Sequence, residues 1–406
     1  MVSGASGLTD KDLTTALDEL FAEGEAGARA RERSAYDLLA GPAKDRVVLF
    51  GVGRLGRKAL SGLRKVGIEP VAFMDNNTRL WNTSVDGVVV LSPEEAIRRY
   101  GDQATFIITI WSGEGTDRMS QRELQLRASG CRNVVPFQPL FWKYPEIFLP
   151  HFGVDLPHKV HQQADEVRSA GSLWSDDVSR SEYLAQLRFR IYGDFAMPSP
   201  VQHTIYFPLD LCPLTDHEVF VDCGAYNGDS IRSFLEQSRK SFQRIYSFEP
   251  DPAIFRKLKK EVSLRPECES ITLQCAAVGA HAGTVAFSAD GNESSHHVGE
   301  GDMVVNCVTL DEALSGAEPT YLKMDIEGAE LDALNGCHGI IQRVAPVLAI
   351  SAYHLQDHLW KIPWLIQSFR SDYNFFLRPH CLDGWDLVLY AIPDHRLAPS
   401  VANRKM

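Results

Sequence analysis

The 406-residue chain is longer than one compact core accommodates and implies two domains or three. Hydrophobic residues at 44% and charged residues at 23% exclude a chain that is disordered throughout. Acidic residues outnumber basic ones by 53 to 41, and the formal charge of -12 sets an average field that repels nucleic acid.

Along the first forty residues, Leu13, Ala16, Leu17, Leu20 and Phe21 recur at helical spacing, with Thr9-Asp10 as the N-cap, and Pro42 closes the segment. Residues 41–140 then alternate short apolar runs with helical patterns. VVLFG (47–51), VAFMD (71–75), VVVLS (88–92), TFIITI (105–110) and NVVPF (133–137) read as strands. Continuously apolar strands alternating with helices predict a parallel sheet covered on both faces, a Rossmann-like α/β domain. Within it, Gly51, Gly53 and Gly56 form G-x-G-x-x-G between a strand and a helix, and Asp75 ends the next strand. In a dinucleotide-binding reading the helix N-terminus faces a pyrophosphate and Asp75 bonds a ribose. The run AFMDNN followed by LSPEEA also looks like the nucleotide-sugar lobe of sugar acyltransferases. A ligand-free scaffold or homodimerisation lobe is the plainer alternative.

Residues 141–205 break the alternation. FWKYPEIFLPHFG is aromatic and irregular, SRSEYLAQLRFRIYGDF is helical, and together they read as a layer packed on one or both neighbours.

Residues 206–406 form the second α/β unit. Its strands are VFVDC (219–223), RIYSFE (244–249), SITLQC (270–275), YLKMDI (321–326), VLAIS (347–351), YNFFL (373–377) and DLVLYAI (386–392). The first strand ends in Asp222, followed by Gly224 and Gly228 before a helix, and glycine serves where backbone turns sharply beside a ligand. Glu249 ends the second strand, where a carboxylate can accept from two ribose hydroxyls. Asp222 suits a ligand ammonium group. A carboxylate for an amine and another for a ribose diol point to S-adenosylmethionine more than to a dinucleotide.

Lys323 and Asp325 share one face of the fourth strand, and Glu327 and Glu330 follow at its turn. Both glutamates also suit a solvated helix start. His354 follows the fifth strand by three residues, where an imidazole can take a proton from an acceptor hydroxyl.

The series FVDCGAYNGDS, YSFEPDP, LKMDIEGAE and ISAYH resembles the FkbM family of S-adenosylmethionine-dependent methyltransferases, over roughly residues 205–395. The resemblance implies a class I methyltransferase sheet of seven strands with the last antiparallel, and methylation of a hydroxyl on a sugar, nucleotide-sugar, glycosylated or polyketide natural product. It places Asp222, Gly224, Ala225, Tyr226, Gly228 and Asp229 in the loop at the methionine end of the cofactor, and Glu249 and Pro250 at the ribose. Ala276 and Ala277 fall beside adenine. Asp325 and His354 fall nearest the transferring methyl, with Lys323 beside them and His354 as the base. Asn292, Ser294, Glu327 and Tyr353 are the acceptor-side expectations. A divalent metal on Asp325, Glu327 and His354 is chemically allowed, although their spacing is no metal signature.

The competing readings are an NAD(P)-dependent oxidoreductase or epimerase using Gly51–Asp75, and a non-catalytic nucleotide-sugar-binding protein. No Tyr-x-x-x-Lys pair accompanies the first lobe, which weighs against an epimerase. The chain has no apolar run of about eighteen residues and no signal-peptide pattern, and its eight cysteines include no CxxC pair. Cys223 and Cys275 lie in apolar runs, which predicts buried reduced thiols and a cytoplasmic protein. The expected partner is a small-molecule acceptor, with neither nucleic acid nor membrane.

Overall fold

A computed structural model of the chain describes residues 8–111, 117–201, 204–287 and 303–402. Two α/β sheets are joined by a helical layer, and no helix among the described residues is long and apolar enough to cross a membrane.

The first sheet contains β1 (Val47–Phe50), β2 (Ala72–Met74), β3 (Ser84–Val85), β4 (Val88–Leu91), β5 (Thr105–Ile108) and β6 (Asn133–Pro136), in the order β3-β4-β2-β1-β5-β6. All pairs are parallel except the short hairpin β3–β4, a strand the apolar pattern did not mark. Every residue of β1 and β5 is buried, as strands covered by helices on both faces require.

The second sheet contains β7 (Val219–Cys223), β8 (Arg244–Phe248), β9 (Ile271–Gln274), β13 (Tyr321–Met324), β14 (Val347–Ser351), β15 (Tyr373–Pro379) and β16 (Leu387–Pro393). Between β9 and β13 the strands β10 (Ala277–Val278), β11 (Gly283–Phe287) and β12 (Met303–Val308) form a separate small sheet. The large sheet runs β15-β16-β14-β13-β7-β8-β9, with β16 antiparallel to both neighbours and the other pairs parallel. This is the expected seven-stranded sheet with its last strand reversed. Strand order turns at β7 and β13, and ligands in such sheets bind beyond the carboxyl ends at that point.

The start of the chain serves both lobes. The helix Asp10–Phe21 is capped by Thr9, whose hydroxyl accepts from the Asp12 N–H, and it buries Leu13, Leu17, Leu20 and Phe21 with the core of the second sheet. The following helix, Gly24–Ala40, gives Tyr36 and Ala40 to the core of the first. The helix Asp177–Tyr192 lies along β15. There Ser175 N–H donates to the Phe375 carbonyl (2.9 Å) and Leu377 N–H donates to Ser179 Oγ (3.0 Å). Just past β5, Trp111 donates its indole N–H to the Asp383 carbonyl (2.8 Å) and packs on Trp385, joining the lobes.

All eight cysteines are free, and five of them are buried. Cys275 is exposed instead, while its neighbours Ala276 and Ala277 are buried.

Candidate active site

β7 carries Asp222 and Cys223 to the centre of the sheet, and the chain must then turn against the end of β13. Gly224 makes that turn at φ +81°, where a Cβ would stand 1.9 Å from the Asp325 carbonyl oxygen. Only glycine fits. The N–H groups of Gly224 and Ala225 both donate to the Phe248 carbonyl (3.0 Å each), tying the turn to β8. Gly228 then opens the helix Asp229–Gln237.

Glu249 follows β8 and is buried. Its Oε2 accepts the Tyr226 N–H (2.9 Å) and its Oε1 the Asp251 N–H (2.8 Å). Burial pushes its carboxyl up to about 7, against the pull of those two N–H groups. Each oxygen keeps a lone pair for a further donor.

Glu249 lines a cleft of about 310 Å³ at the carboxyl edge of the sheet. Phe248, Ala276, Ala277 and Val278 form an apolar shelf on one side, together with Pro250; Gly224, Tyr226 and Asp229 contribute the turn. Lys323, Asp325, Glu327, Tyr353 and Asp386 make the other end polar.

Asp222 departs from its expected place. It is fully buried, accepts from Ser230 Oγ (2.8 Å), and lies 3.2 Å from the Lys323 ammonium. Its ammonium partner is therefore the protein's own, and it does not line the cleft. Lys323 also donates to the Gly224 carbonyl (2.8 Å). Burial alone would lower the Lys323 ammonium, but Asp222 and Asp325 outweigh it and hold it charged. Lys323 pins the glycine turn.

At the polar end four ionisable groups converge. His354 Nδ1 meets Glu330 Oε1 at 2.7 Å, while Nε2 lies 3.2 Å from Asp325 Oδ1 and 3.7 Å from Glu327 Oε2. Burial would lower the imidazole, but Glu330, Glu327 and Asp325 outweigh it, so its pKa stands well above the usual histidine range. A raised pKa disfavours the neutral imidazole that a general base needs, which argues against His354 in that role. Burial would raise Asp325, but His354 and Lys323 hold it well below the carboxylate range. Burial pushes Glu327 up to about 7, against the pull of His354.

Glu330 is no solvated helix start. It is fully buried and accepts N–H groups from Ile326 and Gly328 (3.0 Å each). The string D-I-E-G-A-E thus folds back on its own last carboxylate, with Glu327 at φ +55° and Gly328 at φ +108°.

Sequence reasoning missed Tyr206 and Asp386. The Tyr206 hydroxyl donates to Asp325 Oδ2 (2.8 Å), from 119 residues earlier in the chain. Asp386 ends a loop whose distance in sequence hides its place in the cleft. Ala225 and Gly228 are buried behind the turn, and Asn292 and Ser294 lie outside the described residues.

The first lobe repeats part of this pattern. Asp75 Oδ2 accepts the Val52 N–H (2.9 Å) and its Oδ1 the Asn77 N–H (2.8 Å), as Glu249 does in the second lobe. A Cβ on Gly56 would stand 2.0 Å from the Gly51 carbonyl oxygen, so that glycine serves helix–strand packing, while Gly53 faces open space. None of Gly51, Gly53, Gly56 and Asp75 lines the cleft of the second lobe.

Residues 222–377 match the family model described as the methyltransferase FkbM domain. The crystal structure of a methyltransferase FkbM from Methylobacillus flagellatus KT is similar over 95% of this chain and 99% of that one, with 23% identity and a TM-score of 0.75. An rRNA methylase from Streptococcus thermophilus is similar over 45% of this chain and 89% of its own, with 16% identity and a TM-score of 0.28. No curated protein matches. The cleft at the carboxyl ends of β7, β8, β13 and β14 is lined mostly from the matched segment, with Ile205, Tyr206 and Asp386 outside it, and residues 222–377 carry the likeness to an FkbM methyltransferase domain.

Proposed function

We propose that this protein is an S-adenosylmethionine-dependent O-methyltransferase acting on a hydroxyl of a small molecule, in the class of sugars, nucleotide-sugars and glycosylated or polyketide natural products. The carrying observation is Glu249. Both its oxygens are anchored by backbone N–H groups yet open to a diol, beside an apolar shelf of Ala276, Ala277 and Val278 that suits adenine. The glycine turn supports the amino-acid end. The cofactor, when bound, supplies a methyl on a sulfonium, already activated for displacement.

The residues then have to place an acceptor oxygen in line and exclude water. As the C–O bond forms, the S–C bond breaks and S-adenosylhomocysteine leaves. The hydroxyl proton goes to a carboxylate facing the cleft, and not to His354, whose two ring nitrogens already face Glu330 and Asp325.

Calorimetric titration with S-adenosylhomocysteine, with NAD(H) in parallel, tests this reading. Micromolar binding of the first, lost in Glu249→Ala, is expected. Binding of NAD(H) alone moves the chemistry to Gly51–Asp75 and overturns it.

A second reading concerns the first lobe. The Asp75 arrangement repeats that of Glu249, which supports a nucleotide-binding role, with the nucleotide part of the acceptor held there. UDP- and dTDP-sugars should then bind wild type and not Asp75→Ala. No binding to any of them leaves that lobe a scaffold.

A further inference from the structure

We infer that Arg190 is a positioning residue for the acceptor end of the cleft, bracing from the connecting layer the turn that carries Tyr353 and His354. The purpose of the brace rests on the methyltransferase reading, but its contacts stand alone. Arg190 lies on the helix Asp177–Tyr192 and is 2% exposed. Its Nε donates to the Gln356 carbonyl (3.1 Å), and its Nη1 donates to the Gln186 carbonyl (3.2 Å) and to Gln186 Oε1. The Gln186 amide is thereby turned so that its Nε2 donates to Glu182 Oε1 (2.8 Å). Glu182, Gln186 and Arg190 recur every fourth residue, so one buried face of the helix carries a polar ladder that ends on the turn after β14.

That turn is gripped on both sides of His354. Beyond it, Gln356 gives its carbonyl to Arg190, and its Nε2 donates to the Leu156 carbonyl (3.4 Å). Ahead of it, the Tyr353 carbonyl and the guanidinium both press on Gly153. A Cβ at Gly153 would stand 3.0 Å from Arg190 Nη2 and 3.0 Å from the Tyr353 carbonyl oxygen. Glycine there lets the guanidinium close on the turn.

The same ladder backs a second wall of the cleft. Gly384 belongs to the loop that brings Asp386 to the cleft, and it takes φ +85°. A Cβ on it would stand 3.2 Å from Gln186 Nε2. One helix of the connecting layer thus supports both the Tyr353–Gln356 turn and the loop ahead of β16.

Packing alone does not account for the charge. The hydrogen bonds of this guanidinium among the described residues end on neutral oxygens, and an apolar side chain of similar volume generally fills such a place at least as stably. A buried, satisfied polar network instead fixes one arrangement of the groups that it joins. The group joined here sets the polar end of the cleft. Tyr353 lines it, and His354 stands 3.2 Å from Asp325 and 3.7 Å from Glu327. Displacing the turn changes those separations together.

Proton magnetic resonance of the full chain tests the brace. The proton between His354 Nδ1 and Glu330 Oε1 lies in a short buried hydrogen bond (2.7 Å) and should resonate far downfield of the amides. His354→Asn identifies the signal by its loss. In Arg190→Met the signal is expected to shift or vanish. S-adenosylhomocysteine should still bind that variant as it binds wild type, because the Glu249 and glycine-turn contacts are made at the ends of β8 and β7. Asp176→Ala weakens the same helix at its cap, and should lower the unfolding midpoint without moving the signal. Where Arg190→Met does not fold, Gly153→Ala carries the test, since its Cβ forces the guanidinium and the Tyr353 carbonyl apart and the same displacement is expected. A signal unmoved in the folded variant, moved equally by Asp176→Ala, or absent from wild type overturns the brace. Loss of S-adenosylhomocysteine binding in the variant alone also overturns it, as a mark of general disruption. Failure of S-adenosylhomocysteine to bind wild type removes the methyltransferase reading and leaves the brace standing.

Discussion

At the end of β8, burial pushes the Glu249 carboxyl up to about 7, so the folded chain holds a proton that the unfolded chain has released above its ordinary value near 4.5. This group's contribution to stability is therefore greatest below about pH 4.5 and lost as pH rises through about 7. Ribose hydroxyls donate to the ionised form, so binding S-adenosylhomocysteine near pH 6 should release a proton and tighten towards pH 8. Titration in two buffers of different ionisation enthalpy measures the release, and Glu249→Gln should lose that share of it. A binding enthalpy independent of buffer in wild type would contradict the assignment. The Lys323–Asp222 pair makes a second prediction at this scale. Lys323→Met leaves a fully buried carboxylate facing an apolar chain, and breaking such a pair costs about 3–5 kcal/mol. Urea unfolding should show that loss, together with weakened cofactor binding, because the same ammonium fixes the Gly224 carbonyl.

Among the elements, the edge strand β15 shows how the connecting layer earns its aromatic composition. An unpaired edge invites association with other chains. Here Trp174 and Ser175 meet Phe375, and the helix Asp177–Tyr192 runs beside the strand. Asp176 caps that helix by accepting the Ser179 N–H (2.9 Å) and also pairs with Arg378 on β15. Asp176→Ala removes both, and the cap alone predicts a loss of about 1–2 kcal/mol, visible in the urea midpoint. A second expected effect is a greater tendency to associate, measured by light scattering at matched concentration. An unchanged midpoint would mean that the helix docks through its apolar face alone.

For the whole molecule, the lobes are not independent beads on a linker. The helix Asp10–Phe21 packs on the core of the lobe farthest from it in sequence, and Trp111 of the first lobe reaches Asp383 and Trp385 of the second. Removing residues 8–22 uncovers the surface that Leu13, Leu17, Leu20 and Phe21 bury. Each kcal/mol lost lowers Tm by roughly 2–4 °C for domains of this size, so a fall of several degrees is expected in a calorimetric scan. An unchanged Tm would show that this helix is dispensable to the second lobe.

Local chemistry made the strands legible. Buried strands are apolar along most of their length, and β14 and β16 announce themselves that way, while β8 and β9 are partly exposed and carry Arg244, Thr272 and Gln274. β11 and β12 escaped notice because a period of two is hard to see in GTVAF or MVVNCV. The strand ends were legible too. Asp222, Gly224, Glu249, Asp325 and His354 fall at the carboxyl edge because topology puts every such turn there. What each of them does was decided by tertiary contact. Asp222 turned inward to Lys323, Glu330 became the buried anchor of its own turn, and Tyr206 reached Asp325 from the stretch ahead of β7. A sequence lists ionisable groups one at a time, whereas protonation depends on which charges meet without water. For that reason the chain's order named the cleft, and only the tertiary structure brought three carboxylates onto one imidazole, which raises the pKa of His354 and argues against it as a base.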